Sequence, residues 1–193
     1  MLTYKDIIKE DDPRLRQKSE DVIIPLTEED ISLLEAMNEY LVVGYDEEKA
    51  EASGIRPGVG LSAVQLGVLK KIIVILAYNE KGQKFHYGFV NPKIISEAVE
   101  TVYLPNGEGC LSVDREVPGL VHRSRRVKVR TYLYDFKTKA LSQKVISLED
   151  FLALVFQHEY DHLNGVLFID RIDKINPFFI PEYSTPIVFG QEE

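Results

Sequence analysis

His158 and His162 lie four residues apart in the segment His158-Glu159-Tyr160-Asp161-His162. Four helical residues turn through about 400°, so on a helix both imidazoles leave from nearly the same side and can share one cation. Glu159, about 100° round from His158, is placed to handle the proton of a water at that cation without becoming a ligand. This H-E-x-x-H pattern is the chemistry of metal-assisted hydrolysis. Two histidines at the same spacing also occur as satisfied core or surface groups, and so short a pattern arises by chance. A third ligand decides between these readings.

Peptidases built on the motif take that ligand downstream, from a further His or from a Glu on a later helix. After Gly165 the chain soon becomes a proline-rich tail that offers neither. Upstream, Glu108-Gly109-Cys110-Leu111-Ser112 holds the only cysteine in a glycine-containing turn, where the sulfur is free to approach an ion and neighbouring amides are exposed. A lone cysteine makes no intrachain disulfide; it is inert packing, a nucleophile or a ligand. As a ligand it completes a set of two imidazoles and one thiolate with a fourth position open to water, whose pKa falls to about 7 at such a cation.

A second glycine-rich stretch runs from Gly58 to Gln65. It lacks the third Gly of a dinucleotide fingerprint and the Gly-Lys-Ser/Thr of a P-loop. It reads instead as a close-approach loop, in which Gly58 and Gly60 admit a substrate backbone and a short turn aims Gln65 inward. Phe151, Leu154 and Val155, one to two turns before His158, would line an apolar pocket with Val59 opposite and Glu108 and Gly109 beside the metal turn. A plain core face has the same apolar spacing.

The elements that must hold these residues are partly legible. Thr27 is a suitable N-cap, Glu28, Glu29 and Asp30 suit the positive end of a helix dipole, and Ile31, Leu34, Met37 and Leu41 recur at helical spacing up to Gly44. The charged stretch from Asp46 to Ala52 reads as a surface insertion. Ile72 to Leu76 and Phe89-Val90 read as strands, with Asn91-Pro92 a turn-like break before Ile94 and Ile95. From Arg126 to Tyr134 the pattern alternates, placing Val127, Val129, Thr131 and Leu133 on one face and Lys128, Arg130, Tyr132 and Tyr134 on a wet one. Ser147 is the expected N-cap of the motif helix, which runs to Asn164 and stops at Gly165. Beyond Lys174, prolines among Phe178, Phe179 and Tyr183 predict an extended tail over residues 174–193, with no core of its own and no active role.

Composition sets the wider limits. A chain of 193 residues fits one domain, 1–193, and 45% hydrophobic residues suffice for a core, which excludes a disordered class. The net charge of −8 argues against wrapping nucleic acid with the whole surface, so no DNA partner is expected. The one dense basic stretch, Arg123, Arg125, Arg126, Lys128 and Arg130, reads as a solvated strand face. Charges at Lys5 and Asp6 interrupt any secretory signal and no run approaches transmembrane length, so a cytoplasmic protein without membrane contact is expected.

Taken in order, three segments resemble the motifs of the peptide deformylase family. Gly58 to Gln65 is similar to the first, Glu108 to Ser112 is identical to the second, and His158 to Gly165 fits the third. Asp12-Pro13-Arg14-Leu15-Arg16 and Asn91-Pro92 also look like family features, so the similarity covers all but the tail. It implies an α+β fold, with antiparallel or mixed sheets packed around a central metal-binding helix. It implies one Fe²⁺ per chain on Cys110, His158 and His162, replaceable by Zn²⁺, Ni²⁺ or Co²⁺; ligand softness suits all four, so iron rests on the resemblance. By the same resemblance Glu159 handles the proton, while the Gln65 amide and the Leu111 backbone N–H hydrogen-bond the oxyanion. The substrate would be formylmethionine at the start of a nascent polypeptide, and the products formate and a free N-terminus. Ser62 and Val64 depart from the Ala and the Thr or Pro common in the first motif. Neither is expected to touch a ligand or an oxyanion donor, which leaves loop rigidity as what they affect. The insertion before Gly58 is similar to that of the longer bacterial subclass. A monomer is expected, with a weak, salt-dependent ribosome contact through the basic stretch.

Two other readings share these residues. A general metallopeptidase would cut internal amides with the same helix. A binding module would use Cys110, His158 and His162 as a closed structural site, with a fourth ligand from Glu159, His86 or His122. Asp161 either orients a ligand or supports the helix.

Overall fold

The computed structural model describes residues 1–190; the end of the expected tail, 191–193, lies outside the described residues. Its helices are α1 (Glu28–Gly44), α2 (Glu47–Ser53) and α3 (Asp150–Leu163). Its strands are β1 (Gly60–Ser62), β2 (Ile72–Tyr78), β3 (Lys84–Glu97), β4 (Thr101–Tyr103), β5 (Arg123–Ser124), β6 (Arg126–Asp135), β7 (Ala140–Glu149) and β8 (Ser184–Pro186). An antiparallel sheet has the order β1-β2-β3-β6-β7, and a small mixed sheet has the order β5-β4-β8.

The aliphatic run of β2 is buried on both faces, because helices cover both sides of the sheet. Ile72, Val74 and Leu76 pack with Leu34, Met37 and Leu41 of α1. Ile73, Ile75 and Ala77 face the other way, toward Ala153, Val155 and Phe156 of α3. The opposite flank of α3 meets the small sheet, where Leu154 packs with Val102 and Ile187. The motif helix is thus enclosed by two sheets, as the α+β expectation requires.

At α1 the Thr27 N-cap forms: the Asp30 N–H donates to Thr27 Oγ1 at 3.2 Å and the Thr27 N–H to Asp30 Oδ2 at 3.0 Å. Leu34, Met37 and Leu41 are buried, whereas Ile31 stays exposed on the first turn, clear of the sheet. The charged insertion is a helix, α2, capped by Asp46 and anchored by buried Ala50.

Three expectations change. Asn91-Pro92 does not break the strand; β3 runs through it with a bulge toward β6, because the Asn91 N–H still donates to the Lys71 carbonyl at 2.9 Å and its side-chain amide pairs both backbone groups of Val22. Tyr134 is buried rather than wet, since α1 covers that end of β6. Ser147 caps nothing: the β6–β7 ladder continues to Arg126 opposite Glu149, so Ser147 lies in a strand and α3 begins at Asp150. The tail returns to the body of the fold, since β8 pairs in parallel with β4 and Ile187 is buried. Among the described residues no helix is long and apolar enough to cross a membrane.

Candidate metal centre

Helix α3 presents His158 and His162 on one side, with rings 5.1 Å apart. Gly165 lets the chain leave this helix close to the N-terminal segment: its φ is +74°, and a Cβ there would stand 2.5 Å from the carbonyl oxygen of Arg16. The loop between β4 and β5 brings up Cys110, whose Sγ lies 3.4 Å from His162 Nε2. Ligand atoms of Cys110, His158 and His162 all lie within 4.8 Å of one another, and these are the three ligand side chains gathered there among the described residues. His158 Nδ1 is 2.7 Å from Glu108 Oε2, which makes Nδ1 the donor and leaves Nε2 for the cluster.

Two ring nitrogens and a sulfur converging at this range fit a divalent cation with an open position. Beside them, Glu159 Oε2 is buried without a hydrogen-bond partner. Burial pushes the Glu159 carboxyl up to about 7, against the pull of His158. A cation in the cluster would draw it down again. Burial works to discharge His158, but Cys110 and Glu108 outweigh it and hold its pKa well above the ordinary value. Proton and cation therefore compete for this ligand.

Behind the cluster lies a buried ion network. Arg123 Nε and Nη2 donate to the two oxygens of Glu108 at 2.6 and 2.9 Å, and Nη1 donates to Asp161 Oδ2 at 2.8 Å. Asp161 also accepts from Arg171. Burial alone would raise the Glu108 carboxyl, yet Arg123, with His158, holds it at about 2. Arg123 is 3% exposed, so it does not belong to a solvated strand face. It sits on β5, before the alternation that begins at Arg126, and an arginine among arginines gives no sequence signal of burial. Asp161 touches neither histidine ring; Arg123 and Glu108 link it to His158.

The remaining predicted residues meet in one pocket of about 290 Å³. Gly58, Val59, Gly60 and Gln65 form one wall, Phe151, Leu154 and Val155 another, and Glu108 to Leu111 the floor beside His158 and Glu159. His162 lies deeper and is fully buried. Gly60 is where the loop touches α3: a Cβ would fall 2.6 Å from Glu159 Oε1. Gln65 Nε2 stands 3.7 Å from Cys110 Sγ and 3.3 Å from Ser112 Oγ. Its Oε1 accepts from the Ser62 N–H at 2.9 Å and from the Ser62 hydroxyl at 3.0 Å. Ser62 thus does touch a proposed oxyanion donor and sets which way its amide faces. Arg56, Pro57 and Leu104 line the pocket as well, and no motif marked them. His86 and His122 are elsewhere, bonded to Asn38 and to Ser184 and Phe179, so neither closes the cluster as a fourth ligand.

The family described as polypeptide deformylase matches residues 4–178. A protein of Bacillus anthracis named peptide deformylase 2 is 47% identical over 188 residues, which is 97% of this chain and 99% of that protein. A peptide deformylase of Macrococcus caseolyticus is 49% identical over 178 residues, 92% of this chain and 94% of its own length. Among solved structures, a probable peptide deformylase from Synechococcus phage S-SSM7 superposes with a TM-score of 0.65 at 34% identity, covering 86% of this chain and 97% of the phage protein. The class I type b peptide deformylase of Acinetobacter baumannii with Met-Ala-Ser bound superposes with a TM-score of 0.67 at 27% identity, over 86% of this chain and 96% of that one.

Proposed function

The chain belongs to the polypeptide deformylase family, metallohydrolases that remove the formyl group from nascent polypeptides, and from that premise we propose how its residues divide the work. Cys110, His158 through Nε2 and His162 hold one Fe²⁺, in a donor set that Zn²⁺, Ni²⁺ or Co²⁺ also suits. When bound, the cation supplies Lewis acidity, making water nucleophilic near neutral pH and favouring negative charge on the formyl oxygen. Glu159 takes the proton that water gives up as its oxygen attacks the formyl carbon. It then delivers that proton to the nitrogen as the C–N bond breaks, leaving formate and a free amine. Gln65 Nε2 and the Leu111 N–H donate to the oxygen on which charge collects. The apolar wall of Phe151, Leu154, Val155 and Val59 takes the methionine side chain.

The observation that carries this reading is the buried Glu159 carboxylate, with Oε2 unpartnered, beside a cluster of three ligands. The bound Met-Ala-Ser of the Acinetobacter relative has the chemistry of the expected product, a free N-terminal methionine. The test is formate release from a formyl-Met tripeptide under anaerobic conditions, with and without added Fe²⁺. Iron-dependent formate release with an intact peptide chain is expected; internal cleavage without formate would establish the general peptidase instead.

The contact with the ribosome falls on the open half of the large sheet. Register places Lys93 beside Arg130 and Lys128 two residues along, on one face, and among the described residues none of the three has a carboxylate in ion-pair range. Arg123 is buried, Arg125 pairs with Asp150 and Arg126 lies 3.8 Å from Glu149, so none of these belongs to this surface. Reversing the charge of Lys93, Lys128 and Arg130 is expected to abolish salt-sensitive co-sedimentation with ribosomes, and unchanged co-sedimentation would remove this contact.

A further inference from the structure

The N-terminal segment, outside both sheets, ties together the two loops that carry Gln65 and Leu111. The Ile8 N–H donates to the Gln65 carbonyl at 2.8 Å and the Glu10 N–H to the Ser112 carbonyl at 2.9 Å. Between them, Lys9 Nζ donates to the Leu111 carbonyl at 3.0 Å. That carbonyl and the Ser112 N–H belong to one planar peptide unit, and the N–H points at Cys110 Sγ, 3.4 Å away. An ammonium therefore sits at one end of a peptide dipole and the ligand sulfur at the other. A positive charge on a carbonyl polarises its amide and strengthens the N–H as a donor.

The Lys9 side chain is itself fixed. Its ammonium lies 3.4 Å from the centre of the Tyr4 ring and 3.2 Å from Asp114 Oδ1. Asp114 is more than half exposed, so the ion pair by itself contributes little. The Tyr4 ring and the Leu111 carbonyl hold the charge over the turn that carries Cys110 and Leu111, with or without Asp114.

We infer that Lys9 is a positioning residue for deformylation: through the Leu111–Ser112 peptide its ammonium orients the turn that presents the Leu111 amide to substrate and the Ser112 amide to the Cys110 sulfur. This rests on the roles proposed above for Leu111, Gln65 and Cys110. Lys9→Met keeps the aliphatic stem and removes the charge, so kcat is expected to fall about tenfold, the loss of one charge-assisted hydrogen bond, with KM unchanged. In the Co²⁺-loaded protein the thiolate-to-cobalt absorption band is expected to shift in Lys9→Met. Lys9→Arg, which restores a cationic donor, should return both readouts toward wild type, and Asp114→Asn should alter neither. If Lys9→Met folds poorly, Lys9→Gln takes its place with the same two readouts. A wild-type kcat, an unmoved band, or equal losses in Asp114→Asn would overturn the assignment. Gln65→Ala, measured alongside, separates the two levels. Full turnover in Gln65→Ala sinks the oxyanion reading, whereas an impaired Gln65→Ala beside an unaffected Lys9→Met sinks the role of Lys9 alone.

Discussion

Glu159 and Glu108 are both buried carboxylates on the metal cluster, yet their surroundings give them opposite work. Glu108 faces Arg123 and His158 and stays ionised as the acceptor that fixes a ligand ring. Glu159 has no cationic side chain within hydrogen-bonding reach, and burial raises it against the lowering that a bound cation would bring, the balance that suits a group that takes and returns a proton. Replacing Glu159 by Ala is expected to lower kcat by about 10²- to 10⁴-fold while the protein keeps one metal per chain. Elemental analysis beside a formate assay checks this, and loss of metal from the variant would mean that Glu159 is a ligand. Arg123 belongs to the same comparison: each Glu108 oxygen accepts from it, so its burial is matched by bonds rather than left as an isolated charge.

Loop and helix meet where Gly60 faces Glu159, and the contact leaves no room for a side chain. Gly60→Ala would press a methyl group against the Glu159 carboxyl and shift it, and misplacing a catalytic group by about 1 Å costs roughly 10² in rate. Circular dichroism should remain that of the parent while formate release drops; full activity would show that Glu159 tolerates displacement. Helix α1 offers a pH test remote from the metal. Burial pushes the Asp30 carboxyl up, but Lys70 and the Thr27 hydroxyl and amide together hold it below the ordinary carboxylate value. A carboxyl with a lowered folded pKa stabilises above its unfolded pKa, and that stability is lost as pH falls through the folded value. The stability gap between the parent and Asp30→Asn, read from urea midpoints, should be widest at neutral pH. It should close below about pH 4. A gap independent of pH would mean that the cap works by hydrogen bonding alone.

The whole molecule couples metal to fold, because the three ligands come from two distant stretches of chain and meet only in the folded state. A cation that binds the folded form and not the unfolded one stabilises it by mass action, by about 2.7 kcal/mol at a concentration 100 times its Kd. Chelation is therefore expected to lower the melting temperature and abolish turnover together, with Co²⁺ or anaerobic Fe²⁺ restoring both in a calorimeter and a formate assay. Recovery of activity without recovery of the melting temperature would place the metal in a preformed pocket that adds nothing to the fold. The tail also acts at this scale: β8 and Ile187 cover Val102 and Leu154, and Leu154 lines the pocket.

The sequence by itself determined the local chemistry. Histidines four apart share a face of any helix they stand on, a lone cysteine beside glycine suits a turn, and Thr27 with Asp30 suits a helix start, because each depends on neighbours within one turn of chain. Three motifs in order added the family and the α+β class. What lay beyond local spacing was decided by the tertiary structure. Arg123 is buried because Glu108 and Asp161 arrive from distant segments to pair with it. Ser147 is a strand residue because β6 offers its backbone a ladder, and Tyr134 is dry because α1 lies across its sheet. Lys9 reaches the Leu111 carbonyl across more than 100 positions of sequence. Periodicity reports which face of an element is apolar, but only packing supplies the partner that decides whether a charge is solvated, paired or put to use.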